Sequence, residues 1–426
     1  MAGNAVLIVG GGGLQHPAVS AACALGLSVW VSDRDPVCPC ARLADRFFPL
    51  DIYDVEGHVA LAQANRDDLA GVFTTACNAT VTVAEAAAAA ALPGIPPGLA
   101  RVMADKTAFR QHLQDFGLSA LQPEWVLAEA PQAARSFAER VGLPVIVKAA
   151  GGSGGRGHHI IHDMGAFDRA LNSAPFPVFI EKYVAGIEVS AEAIWVDGQM
   201  APLNAVLRLF APRWPLDAAE VLVPGRAAGL PLPWTNRVLE AGFYTPVELG
   251  HVSPAPLSPD QYLGLWLAVE SVGLALGYDR LDGGHILKCD LLLASPNILV
   301  LEATPRLSGN WDSGLSHRLA WGRDLTRLAL SYAVGRPPHP SEFQPRQFQY
   351  AVVLNLFSPP GILESVSFPR DANVLRRFWK PVRIPAEMDG YASGIGAYAY
   401  GTGKSWPAAY LAACAEAAKV VFHVER

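Results

Sequence analysis

Short apolar runs alternate with helix-length stretches along roughly the first hundred residues. Residues 5–9 are uninterruptedly apolar, the pattern of a strand buried on both faces of a parallel sheet. A glycine loop over 10–13 follows, then an expected helix over 17–25 and a second strand over 28–32 that ends at Asp33. Residues 45–51 hold another short apolar run, 57–64 read as a helix, 71–75 as a strand, and an alanine-rich helix continues through Leu92. Strand and helix in alternation predict a parallel sheet whose ligand edge lies at the carboxyl ends of its strands. The Pro/Gly-rich segment 93–98 marks a boundary.

From Ala104 the rhythm changes. A helix is expected over 106–116, and strands over 125–127 and 144–147 with a helix between them. Strand-like stretches recur at 179–180 and 188–196. Residues 210–260 are proline-rich and fit regular structure poorly. A helix is expected over 257–276, with Ser258 as its cap ahead of Pro259. The runs 286–293 and 298–302, joined by residues 294–297, resemble two antiparallel strands. After a turn at 335–338, strands are expected near 350–356 and 395–400 and a helix over 407–419.

Composition narrows the function. The 426 residues are too many for one compact core, and 51% hydrophobic with 17% charged residues excludes disorder. A net charge of −6 and a pI near 6.0 argue against a nucleic-acid partner, which needs a basic face. Mean hydropathy is +0.22, yet no run of about 18 apolar residues lacks a charge, Gly or Pro, so no membrane span is expected. The start of the chain lacks the basic residues of a signal peptide, so the expected location is the cytoplasm. The six cysteines are expected to be thiols there. Cys38 and Cys40 have no second Cys or His pair at zinc spacing.

Several residues carry candidate chemistry. The first glycine run sits where a dinucleotide fingerprint would, with Asp33 at the position where a ribose-binding acid belongs, but such turns are common in doubly wound sheets. Lys148 ends an apolar strand and leads into Gly151–Gly157, a Gly/Ser loop with one Arg. That loop has the flexibility to fold over a triphosphate while Lys148 supplies a point charge; it lacks the Gly-Lys-Ser/Thr end of a P-loop. A long hairpin without a ligand fits it as well. The stretch 179–188 can hydrogen-bond a purine, with Glu188 available to ribose hydroxyls. Asp290 and Glu302 fall on successive strands; if these pair, both carboxylates can face one side and share magnesium, the alternative being two solvated acids. Arg306 follows four residues later, suited to a carboxylate or phosphoryl group.

Asp105-Lys106, Lys148 with its glycine loop, Glu181-Lys-Tyr-Val with Glu188, Lys288-Cys-Asp290 and Glu302-x-x-Pro-Arg306 occur in an order that resembles the ATP-grasp superfamily, over most of the chain. The resemblance is to its carboxylate–amine ligases with the biotin-carboxylase-like layout. It implies a mixed α/β and α+β fold. A Rossmann-like pre-ATP-grasp domain would occupy 1–103. A two-lobed ATP-grasp domain would span 104–335, with its lid over about 115–185, and a small α+β lobe would span 336–426.

The resemblance also implies roles. Lys106 and Lys148 would contact ATP phosphates, and Ser153, Gly154, Gly155 and Gly157 would belong to the lid loop. Glu181, Lys182, Tyr183 and Val184 would lie along the adenine, and Glu188 would bind ribose. Asp290 and Glu302 would hold Mg2+, with Mn2+ as a substitute, and Arg306 would steady an acyl phosphate. The family commonly has Asn where this chain has Thr304, a weaker ligand; Asn310 is the nearest alternative in sequence. The implied substrates are a small carboxylate and an amine, amino-acid-like, and a homodimer is the family expectation. Bicarbonate-dependent ligation and ATP binding without turnover are rival readings. His251 and His285 are candidate bases, and Arg208, Arg213, Arg226, Trp214, Trp234 and Tyr244 are candidate substrate contacts.

Overall fold

A computed structural model describes residues 3–149, 158–173, 175–210, 248–378, 380–385 and 394–425. Among the described residues the strands form four sheets. The first contains β1 (Ala5–Val9), β2 (Ser28–Ser32), β3 (Arg46–Phe48) and β4 (Leu69–Phe73), all parallel, in the order β3-β2-β1-β4. Every residue of β1 and of the edge strand β4 is buried, as expected for strands covered on both faces.

The second sheet, in the order β5-β8-β6-β7, is antiparallel where its pairs are described. It consists of β5 (Trp125–Ala128), β6 (Val145–Ala149), β7 (His158–Ile161) and β8 (Val178–Lys182). Helices Pro131–Val141 and Met164–Ser173 supply its core through Phe137, Phe167 and Leu171.

The third sheet has eight strands, ordered β13-β12-β9-β10-β11-β14-β18-β16. These are β9 (Ile187–Val196), β10 (Gln199–Phe210), β11 (Glu248–Ser253), β12 (Gly284–Ala294), β13 (Asn297–Thr304), β14 (Tyr350–Phe357), β16 (Val374–Arg376) and β18 (Ile395–Gly403). A small fourth sheet joins β15 (Gly361–Ser367), β17 (Val382–Ile384) and β19 (Val421–Glu425).

Period-2 alternation sorts the large sheet into two unlike faces. Val189, Ala191, Ala193, Trp195, Leu287, Cys289 and Leu291 enter the largest core cluster, with Leu265, Val269 and Val272 of the helix Pro259–Ala275. Ser258 caps that helix through a reciprocal bond with Gln261, as its sequence predicts. The opposite face carries Glu188, Ser190, Glu192, Asn204, Arg208, His251, Lys288, Asp290 and Glu302. β11 lies in a stretch that fits regular structure poorly by sequence. Its residues Glu-Leu-Gly-His-Val-Ser look polar because alternate side chains point to that second face. Gly250 there has φ +147°, and a Cβ would lie 2.1 Å from the Val353 carbonyl oxygen, so glycine lets β11 and β14 pair. Among the described residues, no helix is long and apolar enough to cross a membrane.

The contact between helix and sheet is tight at Gly273, where an added Cβ would lie 2.2 Å from the Trp195 ring. Gly273→Ala is therefore expected to destabilise the protein by about 1–3 kcal/mol despite alanine's better helix propensity. A denaturant midpoint equal to or above that of the parent would contradict this packing.

Candidate active site

The helix Lys106–Asp115 starts at Asp105, whose carboxylate accepts from the Ala108 amide at 2.9 Å. Lys106 thus occupies the first turn, where the helix dipole already disfavours a cation and its free amides suit an anion. Burial pushes the Lys106 ammonium down; the Glu302 charge opposes this and the Lys148 charge adds to it. Two lysines 42 positions apart in number, one on a helix and one closing β6, therefore act on each other electrostatically.

Lys148 makes an ion pair with Glu181, which is buried. The same carboxylate accepts from Arg110, whose Nε lies 3.0 Å from Oε1. Burial would raise the Glu181 carboxyl, but Lys148 and Arg110 outweigh it and bring it down to about 2. Arg110 is itself 1% exposed and also donates to the Val300 carbonyl of β13. The Glu181 side chain is thus engaged within the protein, and its backbone lies in register with Trp125 of β5 and Ile146 of β6. Beyond it the chain leaves β8: the Lys182 amide donates to Glu124 O at 2.8 Å and the Tyr183 amide to Pro144 O at 3.1 Å. Val184 lies on the way into β9, and Glu188 is its buried second residue.

Asp290 and Glu302 are direct partners across the β12–β13 hairpin, and Lys288 is opposite Thr304. Both carboxylates therefore share one face, as the sequence spacing predicts. Lys288 reaches Asp290 at 2.5 Å and Glu302 at 3.3 Å, and Ser190 Oγ donates to Asp290 at 2.5 Å. Burial works against ionised Asp290, but Lys288 and then Arg208 hold its carboxyl well below the usual range. Burial also lowers Lys288, yet Asp290 and Glu302 prevail and its pKa is raised. The Thr304 Oγ1 atom is buried without a hydrogen-bond partner among the described residues. Two carboxylates with an orphaned hydroxyl oxygen form a hard-oxygen donor set that fits Mg2+ when phosphate oxygens or water complete the shell. No group of three or more His, Cys, Asp or Glu capable of holding a metal occurs among the described residues.

Arg306 donates through Nη2 to Asn78 Oδ1 at 3.1 Å, which brings the first sheet's β4-to-helix loop to this site. Its Nε is buried without a partner among the described residues. The loop after Arg306 is pinned to the polar sheet face at three places. Glu192, fully buried, accepts from the Ser308 amide at 2.7 Å and from Ser313 Oγ at 2.5 Å. Burial raises the Glu192 carboxyl, against the lowering effect of those two bonds. Asn310 donates to Glu248 at 3.1 Å, so its amide is engaged on β11. His251, also fully buried, has Nε2 3.1 Å from Ser316 Oγ and Nδ1 2.9 Å from Asp312 Oδ1, the latter out of hydrogen-bond alignment. Between these pins Asn310 and Trp311 both have positive φ, 52° and 69°. Consecutive left-handed non-glycine residues are held only where surrounding contacts over-determine them.

The other expected residues separate clearly. Asp33 accepts from the Gly11 amide at 2.8 Å and the Asp35 amide at 2.9 Å, so the first glycine loop satisfies its own acid. Burial pushes Cys40 up to about 12, and its thiol donates to Gly12 O, a packing role. His285 bonds the Asp282 carbonyl. Ser153, Gly154, Gly155, Gly157, Arg213, Arg226, Trp214, Trp234 and Tyr244 lie outside the described residues. Arg110, Glu192 and Glu248 were not singled out from sequence. Each acts on partners far along the chain; only Glu192 stands as a charge in a mostly apolar strand.

A family model described as the carbamoyl-phosphate synthase L chain ATP-binding domain matches residues 105–194. The arginine-specific carbamoyl phosphate synthase large chain of Bacillus subtilis is 25% identical over 210 residues, covering 49% of this chain and 17% of that protein. The chain thus spans under a fifth of that relative's length. The solved structure of L-amino acid ligase from Bacillus licheniformis superposes with a TM-score of 0.73 at 18% identity, covering 100% of both chains. Phosphoribosylglycinamide synthetase from Anaerococcus prevotii gives 0.73 at 17% identity, covering 99% of this chain and 100% of that one.

The Arg110–Glu181–Lys148 cluster yields a stability prediction with a definite pH window. Glu181 has a folded pKa of about 2 against an ordinary 4.5, so its contribution is fully present above about 4.5 and fades as pH falls through about 2. Arg110→Met, which leaves the buried Glu181 carboxylate with Lys148 alone, is expected to cost about 3 kcal/mol at pH 7. Its deficit should shrink as the pH is lowered toward 2. Urea midpoints measured across that range check both statements; a deficit that grows on acidification would refute the ionised pair.

Proposed function

We propose that this chain, which has the ATP-grasp fold, is an ATP-dependent, ADP-forming carbon–nitrogen ligase. A carboxylate oxygen of one substrate attacks the γ-phosphorus of ATP. The bond to the bridging oxygen breaks, ADP leaves, and an acyl phosphate forms. The amine of a second substrate then attacks the acyl carbon, phosphate leaves, and the nitrogen loses a proton to give an amide. The observation that carries this reading is the paired Asp290 and Glu302 beside Lys106, Lys148 and Arg306, where two sheets meet.

Each residue has a physical role in that reaction. Lys106, at a helix N-terminus, and Lys148, at the end of β6, offset the charge of the phosphates. The backbone from Glu181 through Lys182 and Tyr183 to Val184 borders the purine, and Glu188 accepts from ribose hydroxyls. Asp290 and Glu302 would hold Mg2+ or Mn2+, with Thr304 Oγ1 contributing directly or through water. Bound magnesium supplies charge neutralisation at the transferred phosphoryl group. Arg306, fixed by Asn78, offers a guanidinium to the phosphoryl oxygens or the substrate carboxylate. The lid role of Ser153–Gly157 rests on sequence alone, as do the boundaries at 103 and 335 and a homodimeric assembly. An amino-acid-like substrate pair is supported by the full-length likeness to an L-amino acid ligase.

Phosphate release measured with amino acids singly and in pairs tests the reaction class. Turnover is expected only when a carboxylate and an amine acceptor are both present; ADP release with bicarbonate alone would replace amide ligation by carboxylation. Glu302→Ala should reduce turnover by at least about a hundredfold while the thermal midpoint stays near that of the parent. Retained turnover would reject the metal assignment.

A further inference from the structure

Arg208 stands at the middle of the polar face of the large sheet, opposite His251 in register. Its Nη2 donates to Glu248 at 2.8 Å, while its Nη1 lies 3.4 Å from Glu188 and 3.4 Å from Asp290. The side chains of Glu188, Glu248 and Asp290 are only 7%, 4% and 6% exposed, and that of Arg208 is 17% exposed. Three carboxylates this buried and this close repel one another strongly unless a cation sits between them. The forked guanidinium reaches all three, which the compact point charge of a lysine ammonium does less well.

The three contacts are not equal. The bond to Glu248 is short, and Glu248 is further held by Asn310. The contacts to Glu188 and Asp290 are at the outer limit of a hydrogen bond, while Asp290 has a closer partner in Lys288. A divalent cation arriving at Asp290 therefore meets Arg208 as the most weakly attached of its neighbours. We propose that Arg208 is a positioning residue that stands in for the metal on Asp290 in the nucleotide-free protein and withdraws to Glu248 when the metal binds. It keeps the acidic face assembled before the nucleotide arrives, and it makes metal binding work against an internal counter-ion. The inference rests on Asp290 and Glu302 being the metal carboxylates.

The test is Mn2+ affinity of the full-length, nucleotide-free protein, read from the electron paramagnetic resonance signal of free Mn2+. Arg208→Gln removes the competing charge and is expected to tighten Mn2+ binding by about fivefold or more, the lower end of ordinary coupling between sites. Arg208→Lys retains a charge and is expected to stay within about twofold of the parent. Equal or weaker binding in Arg208→Gln, as a purely structural role requires, would overturn the proposal, and so would equal tightening in both variants. Arg208→Met serves the same comparison if Arg208→Gln does not melt cooperatively. Glu302→Ala separates the two levels of the argument. If it binds Mn2+ as the parent does, the metal assignment itself fails; if it loses Mn2+ while Arg208→Gln matches the parent, only the counter-ion role fails.

Discussion

A single buried guanidinium joins the two sheets on either side of the candidate nucleotide cleft. Arg110 projects from a helix, grips Glu181 of the four-stranded sheet and donates to the Val300 carbonyl of the eight-stranded one. Such an arrangement is weak as a source of stability, since desolvating both charges offsets much of their attraction. Its value is positional. Glu181 is the shared partner of Arg110 and Lys148, so the lysine at the end of β6 is set relative to the β12–β13 hairpin through one carboxylate. Displacing Arg110 would leave Glu181 under-compensated, with Lys148 as its remaining charged partner.

The same economy of arrangement governs the large sheet. One face is apolar and packs on the helix Pro259–Ala275; the other gathers carboxylates, two cations and a histidine into a low-dielectric layer. Charges there interact strongly, which is why ionised Asp290 survives burial beside Lys288 and Arg208. Placing reactive groups on strands, rather than on loops, fixes their mutual spacing through the hydrogen-bonded register. Asp290 faces Glu302 and Ser190 because the strands pair that way, with no further device needed.

Legibility in the sequence follows from this construction. The hairpin carrying Asp290 and Glu302 was readable because both strands are contiguous apolar runs broken only at the functional positions. The helix behind Ser258 was readable because its cap is local. Lys106 and Lys148 were readable because each sits at an element boundary, beside a cap or a glycine loop. Arg110, Glu192, Arg208 as a counter-ion and Glu248 were not, because their partners lie tens to hundreds of positions away and no local period encodes them. β11 was hidden for the related reason that half of its side chains serve the polar face, which lowers its hydrophobic signal at the place where the site is built.

The loop after Arg306 shows how these buried groups connect to chemistry. Asn310 and Trp311 occupy a backbone region that costs of order 1–3 kcal/mol per residue. Bonds to Glu192, Glu248 and Ser316's partner His251 offset that cost, and all three anchors stand on the polar sheet face. Glu248 is also the firm partner of Arg208, whose contacts include Glu188 and Asp290 of the proposed site. One chain of contacts therefore runs from Asp290 through Arg208 and Glu248 to Asn310, beside the guanidinium that would face the acyl phosphate. A change of charge at Asp290 acts first on Arg208, and through the Arg208–Glu248 pair on the residue that holds Asn310.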